Sequence, residues 1–308
     1  MITLLPRLAL LLLAFAGLTG APAIAATPQT ATAAAVTAPA PLPATPALWK
    51  IADEDTTIYL FGTIHVLPQG IDWFDGKVAE AFAQSGSLVT EVAGQDDAAM
   101  QGLVIKLAML PEGASLRDQL SAQQRGQYEA ALTAFKLPPA MLDRFEPWYA
   151  AVALSTLPLM QEGFSPEHGV EQALEKQATA RKLPHTGLET SEYQLGLFDS
   201  LPADVQARYL GEVLGQLPTF KDEIRAMIEA WRIGDAEKLA KLLNAEESDP
   251  RMVEVLLTGR NRTWAEWLDV RLDQPGTVFV AVGAGHLAGA GSVQEQLAAR
   301  GIAATRLQ

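Results

Sequence analysis

Ile58-Tyr59-Leu60-Phe61-Gly62-Thr63-Ile64-His65-Val66-Leu67-Pro68 is a near-continuous apolar run that closes on a glycine and, three positions later, a histidine. Val278-Phe279-Val280-Ala281-Val282-Gly283-Ala284-Gly285-His286 repeats the pattern near the other end of the chain. The chain has four histidines, and two of them stand in this G-x-x-H setting. Both runs read as strands that deliver a histidine at their exit.

Upstream of the first run, Leu48-Trp49-Lys50-Ile51 is a second β-favouring stretch. The acidic turn Asp53-Glu54-Asp55 separates the two, which predicts a hairpin. Downstream, Asp75 to Ser85 has helical apolar spacing at Val78, Ala79, Phe82 and Ala83, and Gly86 stops it. Ser87 to Val92 is the next strand and carries Glu91 near its end. From Asp96 to about Leu272 nearly every segment has i, i+3, i+4 apolar spacing with plausible caps. The exception is Lys182 to Glu189, a brief strand ending in Glu189. Thr277 to Val282 is the last clear strand, followed by a helix over Ser292 to Arg300 and a closing strand over Ile302 to Leu307. The expected fold class is therefore α/β, a central mixed sheet formed by both ends of the mature chain with a large helical insertion at about 96–272.

The first residues follow a different logic. Arg7, the apolar Leu8 to Gly17 and Ala23-Ile24-Ala25 read as a signal peptide over 1–25 with an A-x-A cleavage site. Residues 26–47 carry no charge and are almost wholly Ala, Thr and Pro, which predicts a disordered tether and a folded domain over 48–308. The expected location is secreted and periplasmic, with no stable membrane insertion after cleavage. There is no cysteine, so no disulfide or thiol chemistry is available. A net charge of -13, with Arg7 the only charged residue before Lys50, makes nucleic acid and anionic membrane poor partners.

In open α/β sheets ligands bind where strand carboxyl ends open into loops. His65, Glu91, Glu189 and His286 are the candidates at four such ends. The glycine before each histidine is expected to permit a tight turn or a close backbone approach. Two imidazoles and a carboxylate, His65, His286 and Glu91, would form an open divalent-metal site. Such a metal could activate water, with Glu91 or Glu189 as base and an arginine on the developing oxyanion. Arg260 is the candidate, because Gly259-Arg260-Asn261 interrupts an otherwise apolar helical pattern. His168 and His185 read as structural, and Trp148, Trp231, Trp264 and Trp267 as packing residues. Gly283-Ala284-Gly285-His286-Leu287-Ala288-Gly289 has a dinucleotide-like glycine spacing, but no acidic ribose partner follows it, and no G-x-S-x-G elbow is present.

These residues together resemble the TraB/GumN family, whose wider superfamily includes the Tiki proteins, erythromycin esterases and ChaN-like haem-binding proteins. The resemblance rests on Tyr59 to Leu67, Glu91, Gly187-Leu188-Glu189-Thr190, Arg260-Asn261 and Gly283 to Leu287. It implies an α/β core with a helical insertion. Tiki relatives imply a metal-dependent peptidase using His65, His286 and Glu91, with a divalent ion such as Mn, Co or Zn. Esterase relatives imply histidine and glutamate acid–base chemistry without an obligatory metal. The expected function is thus hydrolysis of a peptide or ester substrate. The alternative is a non-catalytic periplasmic ligand-binding or accessory protein that binds metal or haem and is associated with polysaccharide export.

Overall fold

The computed structural model describes residues 41–94, 96–243 and 249–308. The expected signal peptide and the tether as far as residue 40 lie outside the described residues. Six strands make one mixed sheet: β1 (Leu48–Ala52), β2 (Thr56–Thr63), β3 (Ser87–Val92), β4 (His185–Glu189), β5 (Gly276–Gly283) and β6 (Thr305–Arg306). Their spatial order is β6-β1-β2-β5-β3-β4. The expected hairpin is the antiparallel pair β1–β2, and β6 lies antiparallel on the outer side of β1. The other pairings, β2–β5, β5–β3 and β3–β4, are parallel. The last long strand thus inserts between two early ones, and both ends of the domain build the sheet.

The α-helices of six or more residues, in chain order, are α1 (Gly76–Gln84), α2 (Asp97–Ala108), α3 (Ala122–Ala134), α4 (Pro147–Gln161), α5 (Val170–Arg181), α6 (Ser191–Asp199), α7 (Ala203–Gln216), α8 (Phe220–Arg232), α9 (Ala236–Leu243), α10 (Gly259–Leu272) and α11 (Val293–Ala298). Among the described residues no helix is long and apolar enough to cross a membrane.

Strand alternation explains why the central runs are apolar throughout. Tyr59, Phe61, Phe279 and Ala281 face one way and pack with Val78 and Phe82 of α1, Val170 and Leu174 of α5, and Trp231 of α8. Ile58, Leu60, Val278, Val280 and Val282 face the other way, against Trp264 and Leu268 of α10 and Leu297 of α11. Helices on both faces leave no polar side for β2 or β5, so the hydrophobic pattern runs unbroken. A third cluster lies wholly within the helical insertion, where Tyr128, Trp148, Leu195, Phe198, Tyr209 and Leu256 meet.

One feature departs from expectation. Ordered pairing starts before Leu48: Leu42–Pro43 form a short parallel ladder with Ile71–Asp72, and Ala44 is buried. Backbone bonds hold it there, Leu42 N to Gly70 O at 2.8 Å and Thr45 N to Arg232 O at 2.7 Å. Side-chain composition does not register such bonds. α6 follows directly on β4, within the stretch expected to be helical, with Thr190 as its cap accepting from Tyr193 N.

Candidate functional site

Because β2 and β5 are parallel and in register, with Thr63 opposite Gly283, the two G-x-x-H segments leave the sheet side by side. β3 ends on the other side of β5, and Glu91 Oε1 accepts from the Gly283 N–H at 2.7 Å. β4 runs beside β3 with Glu189 opposite Val92. The four strand-end residues His65, Glu91, Glu189 and His286 therefore share one edge of the sheet, as the topology requires. Gly62 is not in a left-handed conformation; its role is close packing, since a Cβ there would lie 3.0 Å from the Ala284 Cβ.

Arg260 reaches this edge from α10. Just before it, Glu254–Thr258 form a π-helical turn, with the Gly259 N–H bonded to Glu254 O. A Cβ at position 259 would stand 2.7 Å from that oxygen, so glycine is needed there. Wide turns of this kind re-aim the residues that follow them. Arg260 is 2 % exposed, and its five N–H groups all find partners inside the protein. Nη2 donates to Glu91 Oε2 and Glu189 Oε2, each at 2.7 Å, and Nε to Glu189 Oε1 at 3.0 Å. Nη1 donates to Leu256 O and His286 Nε2, each at 3.2 Å. Its guanidinium also lies over the Trp264 ring, 4.6 Å from the centroid.

Gln194 Nε2 bridges the same two carboxylates at 2.9 Å to each, and Trp264 Nε1 donates to Glu189 Oε1 at 3.0 Å. The oxyanion role expected of Arg260 has no donor left to serve it. What the arginine does instead is hold two buried carboxylates next to one another.

His286 belongs to this saturated half. Asn261 Nδ2 donates to Gly291 O at 2.8 Å, which turns its Oδ1 toward His286 Nδ1 at 2.5 Å. Nδ1 therefore carries the proton, and Nε2 accepts from Arg260. Burial, with the Arg260 charge adding to it, lowers the His286 pKa to about 3, so the ring is neutral at physiological pH. Burial acts on Glu91 in the opposite sense to its neighbours, but Arg260, the histidines and the Gly283 N–H outweigh it and hold the carboxylate at about 2.

The other half of the edge is different. His65, 8 % exposed, faces α5, where Glu171 Oε1 stands 2.7 Å from its Nδ1. Burial opposes a charge on this ring, yet the Glu171 carboxylate, with Glu91 adding to it, raises the pKa above its usual value. Both ring nitrogens, both Glu171 oxygens and the Thr63 hydroxyl are buried without a hydrogen-bond partner among the described residues. The contact exists because α5 begins against the backbone of His65: Val170 N donates to Ile64 O at 3.1 Å. A Cβ on Gly169 would lie 2.1 Å from His65 O, so only glycine admits this approach.

The metal expectation fits this arrangement poorly. Among the described residues no group of three or more His, Cys, Asp or Glu side chains is placed to hold a metal ion. His286 Nε2, the nitrogen a metal would take, already accepts from a permanent cation, and both Glu91 oxygens accept N–H donors. A divalent ion in the His65, Glu91, His286 set would have to displace Arg260.

His185, expected to be structural, has its Nε2 2.8 Å from Thr90 Oγ1, a contact between β4 and β3. His168, also expected to be structural, has a buried Nδ1 with no hydrogen-bond partner among the described residues. Glu171 and Gln194 were not legible as site residues. Glu171 reads as an ordinary acidic residue in a helix first turn, and Gln194 has no motif around it.

The TraB/PrgY/gumN family model matches residues 47–306. An uncharacterized protein of Treponema pallidum (strain Nichols) is 25% identical over 261 residues, covering 80% of this chain and 78% of its own. The uncharacterized protein YbaP of Escherichia coli (strain K12) is 23% identical over 241 residues, covering 78% of this chain and 87% of its own. No solved structure matches the chain.

Proposed function

The chain belongs to the TraB/PrgY/gumN family, and from that premise we propose that it hydrolyses peptide or ester bonds with His65 as the acid–base group. The observation that carries this reading is the division of the sheet edge. The Arg260 half has its polar groups satisfied, whereas His65 meets Glu171 through Nδ1 and keeps a buried Nε2 with no partner among the described residues. Trp148, Gln206 and Tyr209 also carry buried polar atoms without a partner, so what sets His65 apart is its place at the strand-end edge beside the Glu171 carboxylate.

In the proposed reaction water attacks the carbonyl carbon, forming the new C–O bond while its proton passes to His65 Nε2. Glu171 holds the Nδ1 side of the ring and balances the imidazolium charge. Collapse of the tetrahedral intermediate breaks the C–O or C–N bond, and the Nε2 proton goes to the departing oxygen or nitrogen. The products are an acid and an alcohol or amine. Arg260, with Glu91, Glu189, Gln194 and His286, fixes the strand ends that carry the reacting groups. No step is routed through a metal.

Dialysis against EDTA, checked by elemental analysis, should leave turnover of p-nitrophenyl acetate or of a peptide library unchanged. Activity lost on chelation and restored by Mn, Co or Zn would overturn the metal-free reading.

The pH profile supplies a second test. A base works only when deprotonated, and Glu171 raises the His65 pKa above 6.5. The rate should fall with decreasing pH through a limb above that value. Glu171→Gln removes the charge that raises it, so the limb should move to lower pH, as the loss of kcat at neutral pH reports the lost partner. An unmoved limb would exclude His65–Glu171 as the titrating pair.

A further inference from the structure

We infer that Thr63 is a second catalytic residue, its hydroxyl donating to the carbonyl oxygen of the substrate as that oxygen becomes negative; this rests on the hydrolase reading above. Acyl transfer needs a donor aimed at the developing oxyanion. Arg260, the cation nearest to hand, has all its N–H groups committed to Glu91, Glu189, Leu256 O and His286. Trp264 Nε1 and Gln194 Nε2 are committed to the same carboxylates. The donor must come from elsewhere.

Thr63 is fully buried, at 0 % exposure, and its Oγ1 has no hydrogen-bond partner among the described residues. Buried threonine hydroxyls ordinarily bond a nearby carbonyl, as Thr56 does to Gln274 O and Thr90 to Val92 O, each at 2.8 Å. Its place in the fold is equally specific. Thr63 is the last residue of β2, opposite Gly283, and two positions before His65. By strand alternation it continues the face of Tyr59 and Phe61, the face on which α5 presents Glu171. The unsatisfied hydroxyl, the unsatisfied imidazole and its carboxylate thus belong to the same side of the same sheet edge.

An orphan hydroxyl in a core costs stability, so a purely structural residue at this position would be valine, which has the same shape and favours strands. The test is Thr63→Val beside Thr63→Ser, with His65→Ala as the control. Turnover of p-nitrophenyl acetate should drop on the order of 10²-fold in Thr63→Val, in kcat rather than KM, while Thr63→Ser keeps most of the wild-type rate. At the same time Thr63→Val should melt at or above the wild-type temperature, because the removed hydroxyl had no protein partner. A structural role predicts the reverse, lower melting and a rate that follows the folded fraction. If His65→Ala loses activity and Thr63→Val keeps it, Thr63 is not the donor and the hydrolase reading stands. If His65→Ala keeps activity, or the wild type turns over neither ester nor peptide, both fall.

Discussion

Arg260→Met should destabilise the folded protein by about 3–5 kcal/mol, the usual cost of breaking a buried ion pair by removing one partner. The substitution preserves much of the side-chain length and leaves Glu91 and Glu189 buried with no cation between them. It also strips donors from Leu256 O and His286 Nε2. Against a total stability of about 5–15 kcal/mol for a typical domain, that is a large fraction, and the urea midpoint should fall accordingly. Arg260→Lys should recover only part of it, because one ammonium cannot place five donors in the directions of a guanidinium fork. The decisive comparison is a cycle with Glu189→Gln. If the loss comes from an unpaired carboxylate, Arg260→Met should cost much less in that background. A loss below about 1 kcal/mol in the single variant would mean that the cluster is worth no more than a surface pair.

This role for Arg260 was only half legible. The glycine and polar residues at Gly259-Arg260-Asn261 marked a break in the helical pattern, and the π-helical turn is that break. Its destination was not encoded locally, since the partners Glu91 and Glu189 are distant in sequence and are brought together by strand order. The strands themselves were readable. Ile58 to Ile64 and Val278 to Val282 are apolar on both faces, and a run with no polar side has to sit inside a sheet covered twice. The four strand-end residues followed from that, because parallel strands bring their carboxyl ends to one edge.

Protonation could not be read from the two motifs. Gly62-Thr63-Ile64-His65 and Gly283-Ala284-Gly285-His286 are nearly the same words, yet one imidazole meets a carboxylate and the other a guanidinium. The residues that decide this, Glu171 and Arg260, lie on different helices and on opposite faces of the sheet. Equivalent motifs suggested equivalent ligands of a metal; unequal surroundings set one ring beside a carboxylate and leave the other a fixed, neutral acceptor, and the proposed hydrolysis draws on the first.

His65→Ala should therefore lower kcat about 10²–10⁴-fold, the range expected when a positioned general base is removed. The folded state should survive, because neither His65 nitrogen holds a hydrogen bond that the rest of the structure depends on. The charge of Glu171 then has less to balance it, and because its carboxylate oxygens are buried the variant should lose some stability without unfolding. His286→Asn is the informative contrast. Its loss should show first in stability, since it leaves Arg260 Nη1 short of an acceptor and Asn261 without its donor. The acid limb of the rate in whatever folded protein remains should stay where Glu171 and His65 put it. Urea unfolding and the pH dependence of kcat/KM, measured on both variants, separate the two histidines. A His65→Ala enzyme within about threefold of the wild-type rate, well short of the loss expected for a general base, would remove His65 from the chemistry. A His286→Asn enzyme that lost its acid limb while keeping full stability would exchange the roles assigned to the two rings.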